Sequence, residues 1–287
     1  MSKKKIIANC GDICYLYQSD GYSVKRTLED AYYGTHKEAD STIVFHSSKV
    51  DSKNIVIRVV DTDVLIITLG SMHAISTEKN VWIETGIYSK NTLRYLNINK
   101  AYDHYGQDLC RALPGFHAFT GCDYTGSFGR KGKTTPLKIL QKDEGLQKVF
   151  IKLGRWSSVE DDNVKVLESF VCRMYGKRKL NSVNAPKNKH NCLVAHMKSM
   201  DASVLPPCSK VLLQKIKRTS YITRVWQKAV EIDPTFDLNP TDFGWLLKDD
   251  YYQLDWFEGD AAPKIVDVVK EDAAEDSKDF NLFLFSL

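Results

Sequence analysis

Three short segments of the 287-residue chain concentrate carboxylates of a type and spacing able to hold a hard metal ion. The first is HKEAD, with Glu38 and Asp40 at the start of a predicted helix, where backbone N–H groups and the helix dipole favour negative charge. The second is VVDTDVL, which sets Asp61 and Asp63 just beyond a β-branched run. The carboxyl end of a strand is where open α/β sheets bind ligands. The third is FTGCDYTGSFGRKGK, in which Asp123 occupies a Gly-rich turn followed at once by Arg130, Lys131 and Lys133.

Divalent cations such as Mg²⁺ or Mn²⁺ take oxygen ligands and retain water, so carboxylates from separate segments must converge on them. Asp61 and Asp63 would point to opposite sides of an extended backbone, and a bend after the strand is needed to bring both to one ion. In phosphodiester hydrolysis such ions supply hydroxide from bound water and neutralise charge on the phosphate. The neighbouring basic residues Arg130, Lys131 and Lys133, with the turn amides, suit a nucleic-acid backbone. Each segment also has a plainer reading. An acidic pair near a helix start commonly serves as capping. A D-x-D after a strand also opens haloacid-dehalogenase-like phosphatases, with Asp61 as nucleophile, although Val64-Leu65 departs from that pattern. No organic cofactor is expected.

The elements that must carry these groups alternate in type. Lys5 to Asn9 and Asp12 to Tyr17 flank Gly11 and read as strands joined by a tight turn. Apolar residues Ala39, Ile43 and Val44 predict a helix from His36 to Ser47, with Thr35 as its cap. Asn54 to Val60 (NIVIRVV) has the texture of a buried parallel strand. Val64 to Gly70 fits either strand or helix. Val81 to Glu84 and Thr92 to Leu96 read as strands, and Asn99 to Leu113 as a helix closed by Pro114 and Gly115. Helical patterns follow at Pro136 to Lys142, Val164 to Tyr175 and Lys210 to Ile232, with a Lys-, Asn- and Ser-rich loop from Gly176 to Pro207. The expectation is a mostly parallel α/β sheet with helices on both faces over residues 1–140, an α-rich basic extension over 141–257, and an acidic tail over 258–287.

Charge supports that division. Net charge is 0 over residues 1–123, +15 over 124–228 and −11 over 229–287, which makes the overall +4. A basic middle of this size favours an anionic polymer, because clustered Lys and Arg release counterions from phosphates. Nucleic acid is therefore the expected partner, with a basic face partly neutralised by the tail as the plainer alternative. No apolar run approaches the roughly 20 residues of a membrane span, and Ile6-Ile7-Ala8 is too short for a signal-peptide core. Seven cysteines without C-x-x-C spacing point to reduced thiols in a cytosolic or nuclear compartment, and of these two intracellular settings the nucleus is the expected one. His190, Cys192 and His196 lack the second ligand pair of a zinc site. His117, between apolar neighbours, reads as a hydrogen-bonded core or supporting group rather than a ligand. Trp226, Trp245 and Trp256 could stack bases, with core packing the plainer role for at least two.

The ordered set E-A-D, then D-x-D after a strand, then G-x-D-Y before a basic glycine-containing turn resembles the flap-endonuclease-like (XPG-like) branch of the PIN nuclease superfamily. HKEAD, VVDTDVLI and ALPGFHAFTGCDYTGSFGRKGK are similar to a group of metazoan open reading frames associated with mobile elements, and the similarity extends through Ile216-Lys217-Arg218, Tyr221, Trp226 and Asp242-Phe243-Gly244-Trp245. The resemblance implies a PIN-like fold and a metal-dependent nuclease, DNA favoured over RNA. It implies that Glu38 and Asp40 lie between two metals and that Asp61, Asp63 and Asp123 ligate the second. It also implies two further carboxylates on strands that would precede residue 1, so the expected site is one complete metal position and part of another. The sequence departs from the group at Lys37 and Tyr124, and Pro136 interrupts the helix-two-turn-helix glycine pattern. The alternative expectation is a nuclease-derived nucleic-acid-binding or structural protein without turnover.

Overall fold

Alternation of β-branched runs with helical spacing makes this a mixed α/β protein built on small sheets. A computed structural model describes residues 4–10, 13–155, 161–176, 181–184 and 206–256. In chain order the described elements are β1 (Lys5–Cys10), β2 (Ile13–Ser19), β3 (Val24–Leu28), α1 (Ala39–Lys49), β4 (Asn54–Arg58), α2 (Thr62–Ser71), β5 (Asn80–Thr85), β6 (Arg94–Asn97), α3 (Ile98–Tyr105) and α4 (Gln107–Thr120). They continue with α5 (Thr134–Gln141), α6 (Glu144–Leu153), α7 (Asp161–Met174), α8 (Ser209–Gln227), β7 (Trp245–Lys248) and β8 (Tyr251–Leu254). The described chain falls into two units: one from residues 1–118, 150–155 and 221–238, the other from residues 119–149, 156–220 and 239–287.

The first unit holds two sheets. Strands β1, β2 and β3 form an antiparallel meander with Lys5 opposite Gln18 and Tyr17 opposite Arg26. The other sheet has the order β4-β5-β6. Strands β4 and β5 run parallel because helix α2 supplies the crossover that parallel neighbours need. Strand β6 returns antiparallel, so this sheet is mixed where a mostly parallel one was expected. Residues 86–93 are too few for a crossover, and Gly86 at φ 94° turns the chain back instead. Strand β4 buries only one face: Ile55 and Ile57 are buried, whereas Val56 is 55% exposed. This corrects the expectation of a strand covered on both sides.

The core of this unit is apolar in the positions that periodicity picks out. Val44 and Phe45 of α1, Val64 and Ile67 of α2, and Val81 and Ile83 of β5 are buried. Helix α1 packs on α2 and β4. Helix α1 begins three residues after the expected start, with Glu38 rather than Thr35 as its cap. The single helix expected over Asn99 to Leu113 is broken at Gly106, where φ is 79°, and its second part runs on through Pro114 to Thr120. Proline normally disrupts a helix interior. Here Gly70 of α2 leaves room for its ring, since a Cβ on Gly70 would lie 2.5 Å from Pro114 Cγ.

In the second unit, Phe119 packs beside Phe128 and Phe170, with ring centroids 5.3 and 6.0 Å away. Leu140, Leu146, Leu167, Leu212 and Ile216 complete a helical core. Helix α6 has no counterpart in the sequence reading. Helix α8 stops at Gln227, short of the expected Ile232. Most of the predicted loop over residues 176–207, including Lys177-Arg178-Lys179, and the tail after Trp256 lie outside the described residues. So do His190, Cys192 and His196. Among the described residues no helix is long and apolar enough to cross a membrane.

Candidate functional site

Asp61 and Asp63 stand where strand β4 gives way to helix α2. Asp61 is the extended cap of that helix, and its Oδ1 accepts the Asp63 backbone N–H at 2.9 Å. The ambiguous run Val64 to Gly70 is therefore helical, and the helix start supplies the bend that two alternating aspartates need. Asp61 is exposed, whereas Asp63 is only 7% exposed.

A buried carboxylate must be hydrogen-bonded or it costs several kcal/mol on the order of a lost ionic partner. Asp63 meets this requirement through His117 on α4, whose Nε2 lies 2.8 Å from Asp63 Oδ1. An ionised carboxylate only accepts, so Nε2 is the protonated ring nitrogen. His117 is buried, as its apolar neighbours imply, and it serves as a hydrogen-bonding partner rather than as a lone polar group.

Glu38 is placed by a different device. It caps α1 with its backbone carbonyl, which accepts from the Thr42 hydroxyl at 2.7 Å, while its side chain makes no capping bond. The carboxylate instead accepts the indole N–H of Trp226 at 2.7 Å. Capping thus leaves the Glu38 side chain unexplained. The long reach from residue 38 to residue 226 follows from two bonds ahead of α1. The Thr35 N–H donates to the Ile232 carbonyl at 2.9 Å, and His36 Nε2 donates to the Glu231 carbonyl at 2.9 Å. His36 Nδ1 lies 2.9 Å from the buried Ser41 hydroxyl, and burial holds this imidazole below the usual histidine range, which favours the neutral ring. Asp40 occupies the first turn of α1 and is half-buried.

The two carboxylate bonds join through their donors. The rings of His117 and Trp226 have centroids 6.1 Å apart at an interplanar angle of 47°. Asp63, His117, Trp226 and Glu38 form one chain of contacts drawn from HKEAD, VVDTDVL, GFHAF and the end of α8. Trp226 is fully buried, which excludes it from base stacking. Nothing in the sequence near residue 226 signals that role, whereas a histidine set among Phe116, Ala118 and Phe119 does signal a need for a partner. Across the β4-β5-β6 sheet, Glu84 of the central strand pairs with Arg58 at 3.1 Å and accepts the Tyr95 hydroxyl at 2.9 Å.

The remaining predicted residues belong to the second unit. Asp123 and Tyr124 form the tip of a tight turn closed by reciprocal bonds between Cys122 and Thr125, and Asp123 is exposed. Arg130 is exposed with φ 53°. Lys131 places its ammonium 4.5 Å from the centre of the Tyr175 ring, and Lys133 donates to the Gly121 carbonyl at 2.6 Å. Lys131 and Lys133 thus brace the unit as well as carrying charge. Lys215 of α8 donates to the Gly126 carbonyl and lies 4.8 Å from the centre of the Phe128 ring. Burial brings its pKa down to about 8.

The donors at β4 and α1 are carboxylate oxygens, the chemistry that Mg²⁺ and Mn²⁺ take. Among the described residues no three His, Cys, Asp or Glu side chains gather as a ligand group. Mg²⁺ is commonly held by one or two carboxylates with water and substrate phosphate completing its shell, so what the described residues share with such a site is the type of donor. No known family model, characterised protein or solved structure gives a significant match to this chain.

Proposed function

We propose that the chain is a Mg²⁺- or Mn²⁺-dependent phosphodiesterase acting on nucleic acid, DNA ahead of RNA, with a PIN-like, flap-endonuclease-like ancestry. The observation that carries this reading is the run of contacts Asp63–His117–Trp226–Glu38, in which carboxylates from two of the resembling motifs are each bonded to a buried ring and the two rings lie 6.1 Å apart. Asp61 and Asp63, at the carboxyl end of β4, would hold the ion, with Glu38 and Asp40 as the second acidic segment. When bound, such an ion would activate water and offset charge on the phosphate. Asp61 keeps the start of α2 in place through the Asp63 N–H, and His117 gives the buried Asp63 side chain a hydrogen-bond partner.

A second reading is favoured by the lack of a three-ligand group among the described residues: a nuclease-derived protein that binds nucleic acid without turnover. The haloacid-dehalogenase-like alternative, with Asp61 as nucleophile, gains no support, because Val64-Leu65 departs from that pattern. Metal-dependent cleavage of flap, nicked or single-stranded substrates separates the first two. The phosphodiesterase reading expects cleavage that Asp61→Ala abolishes; cleavage indifferent to that substitution contradicts it. Asp123→Ala tests the contribution of the G-x-D-Y motif in the same assay.

A further inference from the structure

We propose that the outer face of the β1-β2-β3 sheet is an interface between two copies of this chain, packed face to face about a twofold axis that crosses the strands. The inference stands apart from the acidic site and concerns the first unit alone.

Side chains alternate along each strand, so the two faces of this sheet differ in composition. The row that sets Asn9 opposite Cys14 turns to the rest of the unit: Cys14 is buried, and Asn9 Nδ2 lies 3.2 Å from His46 Nε2 on α1. The opposite face carries Ile6, Tyr17 and Arg26 in one row, Tyr15 and Leu28 in another, and Val24 and Ile13 toward its ends. That face is turned to solvent, with Ile6 63%, Val24 67%, Leu28 66% and Ile13 45% exposed. Among the described residues it bears no Asp, Glu or Lys, and its one charged side chain, Arg26, is held 4.8 Å from the centre of the Tyr15 ring. Contiguous exposed apolar surface marks an interaction site. Apolar and aromatic side chains with arginine, and without lysine or acid, are the composition of a protein interface core. A nucleic-acid interface would carry more positive charge than one arginine.

Charge identifies the occupant as a second copy and fixes how it sits. One end of the sheet is cationic: Lys5, Gln18 and Lys25 form a row across the three strands, with Arg26 in the next. The other end is acidic, because Glu29 and Asp30 follow β3, and the Glu29 N–H donates to the Cys14 carbonyl at 3.0 Å. Among the described residues Lys5, Lys25, Arg26, Glu29 and Asp30 form no ion pair. A twofold axis parallel to the strands would lay like ends together. One that crosses them lays the cationic end of each copy over the acidic end of the other, so that Arg26 of one approaches Glu29 and Asp30 of its mate, twice by symmetry. Sheets packed face to face keep their strands roughly aligned, which this axis permits. Strands of six, seven and five residues make a small interface, so the dimer is expected to be weak and concentration-dependent.

Sedimentation velocity of the full chain over a range of concentrations tests this, with circular dichroism as the control for folding. The sedimentation coefficient is expected to climb from the monomer value toward the dimer value as concentration rises. Leu28→Lys and Ile6→Lys, at exposed positions, are expected to keep the secondary structure and to weaken association on the order of 10-fold or more. Arg26→Glu and Asp30→Arg should each weaken it as well, and the two together in one chain should restore it, because each swapped charge then meets a swapped mate. That rescue is a property of the crossing axis, which apolar contact alone would not produce. If one lysine variant fails to fold, the other carries the comparison. A chain that stays monomeric at every concentration overturns the proposal, whether or not a DNA oligonucleotide binds this face in place of the second copy. So does a dimer that Leu28→Lys and Ile6→Lys leave unchanged. A dimer that both lysines disrupt but that the double charge swap fails to restore overturns the crossing axis.

Discussion

His117 Nε2 and Asp63 Oδ1 lie 2.8 Å apart across 54 residues of sequence, and both side chains are only 9% exposed. Breaking such a bond from one side leaves a buried polar group short of that partner, which costs about 1–3 kcal/mol in comparable settings. Asp63→Ala and His117→Leu are each expected to destabilise the fold by more than about 1 kcal/mol. The double substitution should cost less than the sum, because the second change removes a group that has already lost this bond. Urea unfolding of the four proteins in the cycle measures this; strict additivity would show that the two side chains are not coupled.

Gly70→Ala probes the packing of α2 on α4. The new Cβ would stand 2.5 Å from Cγ and 3.0 Å from Cδ of Pro114, a rigid ring that cannot swing aside. Overpacking of this kind costs about 1–3 kcal/mol. A lower thermal midpoint for Gly70→Ala is expected, and an unchanged midpoint would mean that α4 shifts freely along α2.

Lys215 makes a pH prediction in the second unit. Its pKa is held near 8 chiefly by burial, while an unfolded lysine titrates near 10.4. Between these values the unfolded chain binds more protons than the folded one, so this group makes stability rise with pH from about 8 to about 10.4. Below pH 8 the amine is protonated in both states and its contribution to the slope vanishes. Cys110 acts in the opposite sense, since burial pushes its thiol up to about 11. Comparison with Lys215→Met isolates the lysine: the difference in stability between the two proteins should change across this window and stay constant below it.

Nucleic-acid binding should weaken steeply with salt if the +15 of residues 124–228 faces phosphates. A slope of log affinity against log salt near zero would count against both readings of the chain. Lys131→Ala and Lys133→Ala carry a further cost, since one ammonium faces Tyr175 and the other holds the Gly121 carbonyl. Arg130→Ala is also expected to lower affinity.

Local patterns were legible where chemistry is local. The β1–β2 hairpin pairing, strand β4, the mixed α/β character and the grouping of Asp61 with Asp63 follow from alternation and from a helix start after a strand. What escaped was set by tertiary partners. Pro114 reads as a stop signal, yet the gap at Gly70 lets the helix run through it. Val56 reads as buried, yet only one face of β4 is covered. Trp226 reads as core or as a base-stacking platform, and its bond to Glu38 depends on the link between residues 35–36 and 231–232, which no short pattern encodes.

The measurement that bears most directly on the proposed function is single-turnover cleavage of end-labelled flap and single-stranded DNA by the full chain. The comparison is between Mg²⁺, Mn²⁺ and chelator, with Asp61→Asn and Asp63→Asn alongside the unsubstituted protein. The phosphodiesterase account predicts metal-dependent product that falls by at least about 100-fold in both variants. Product formation that persists in chelator, or that both variants match, would contradict it.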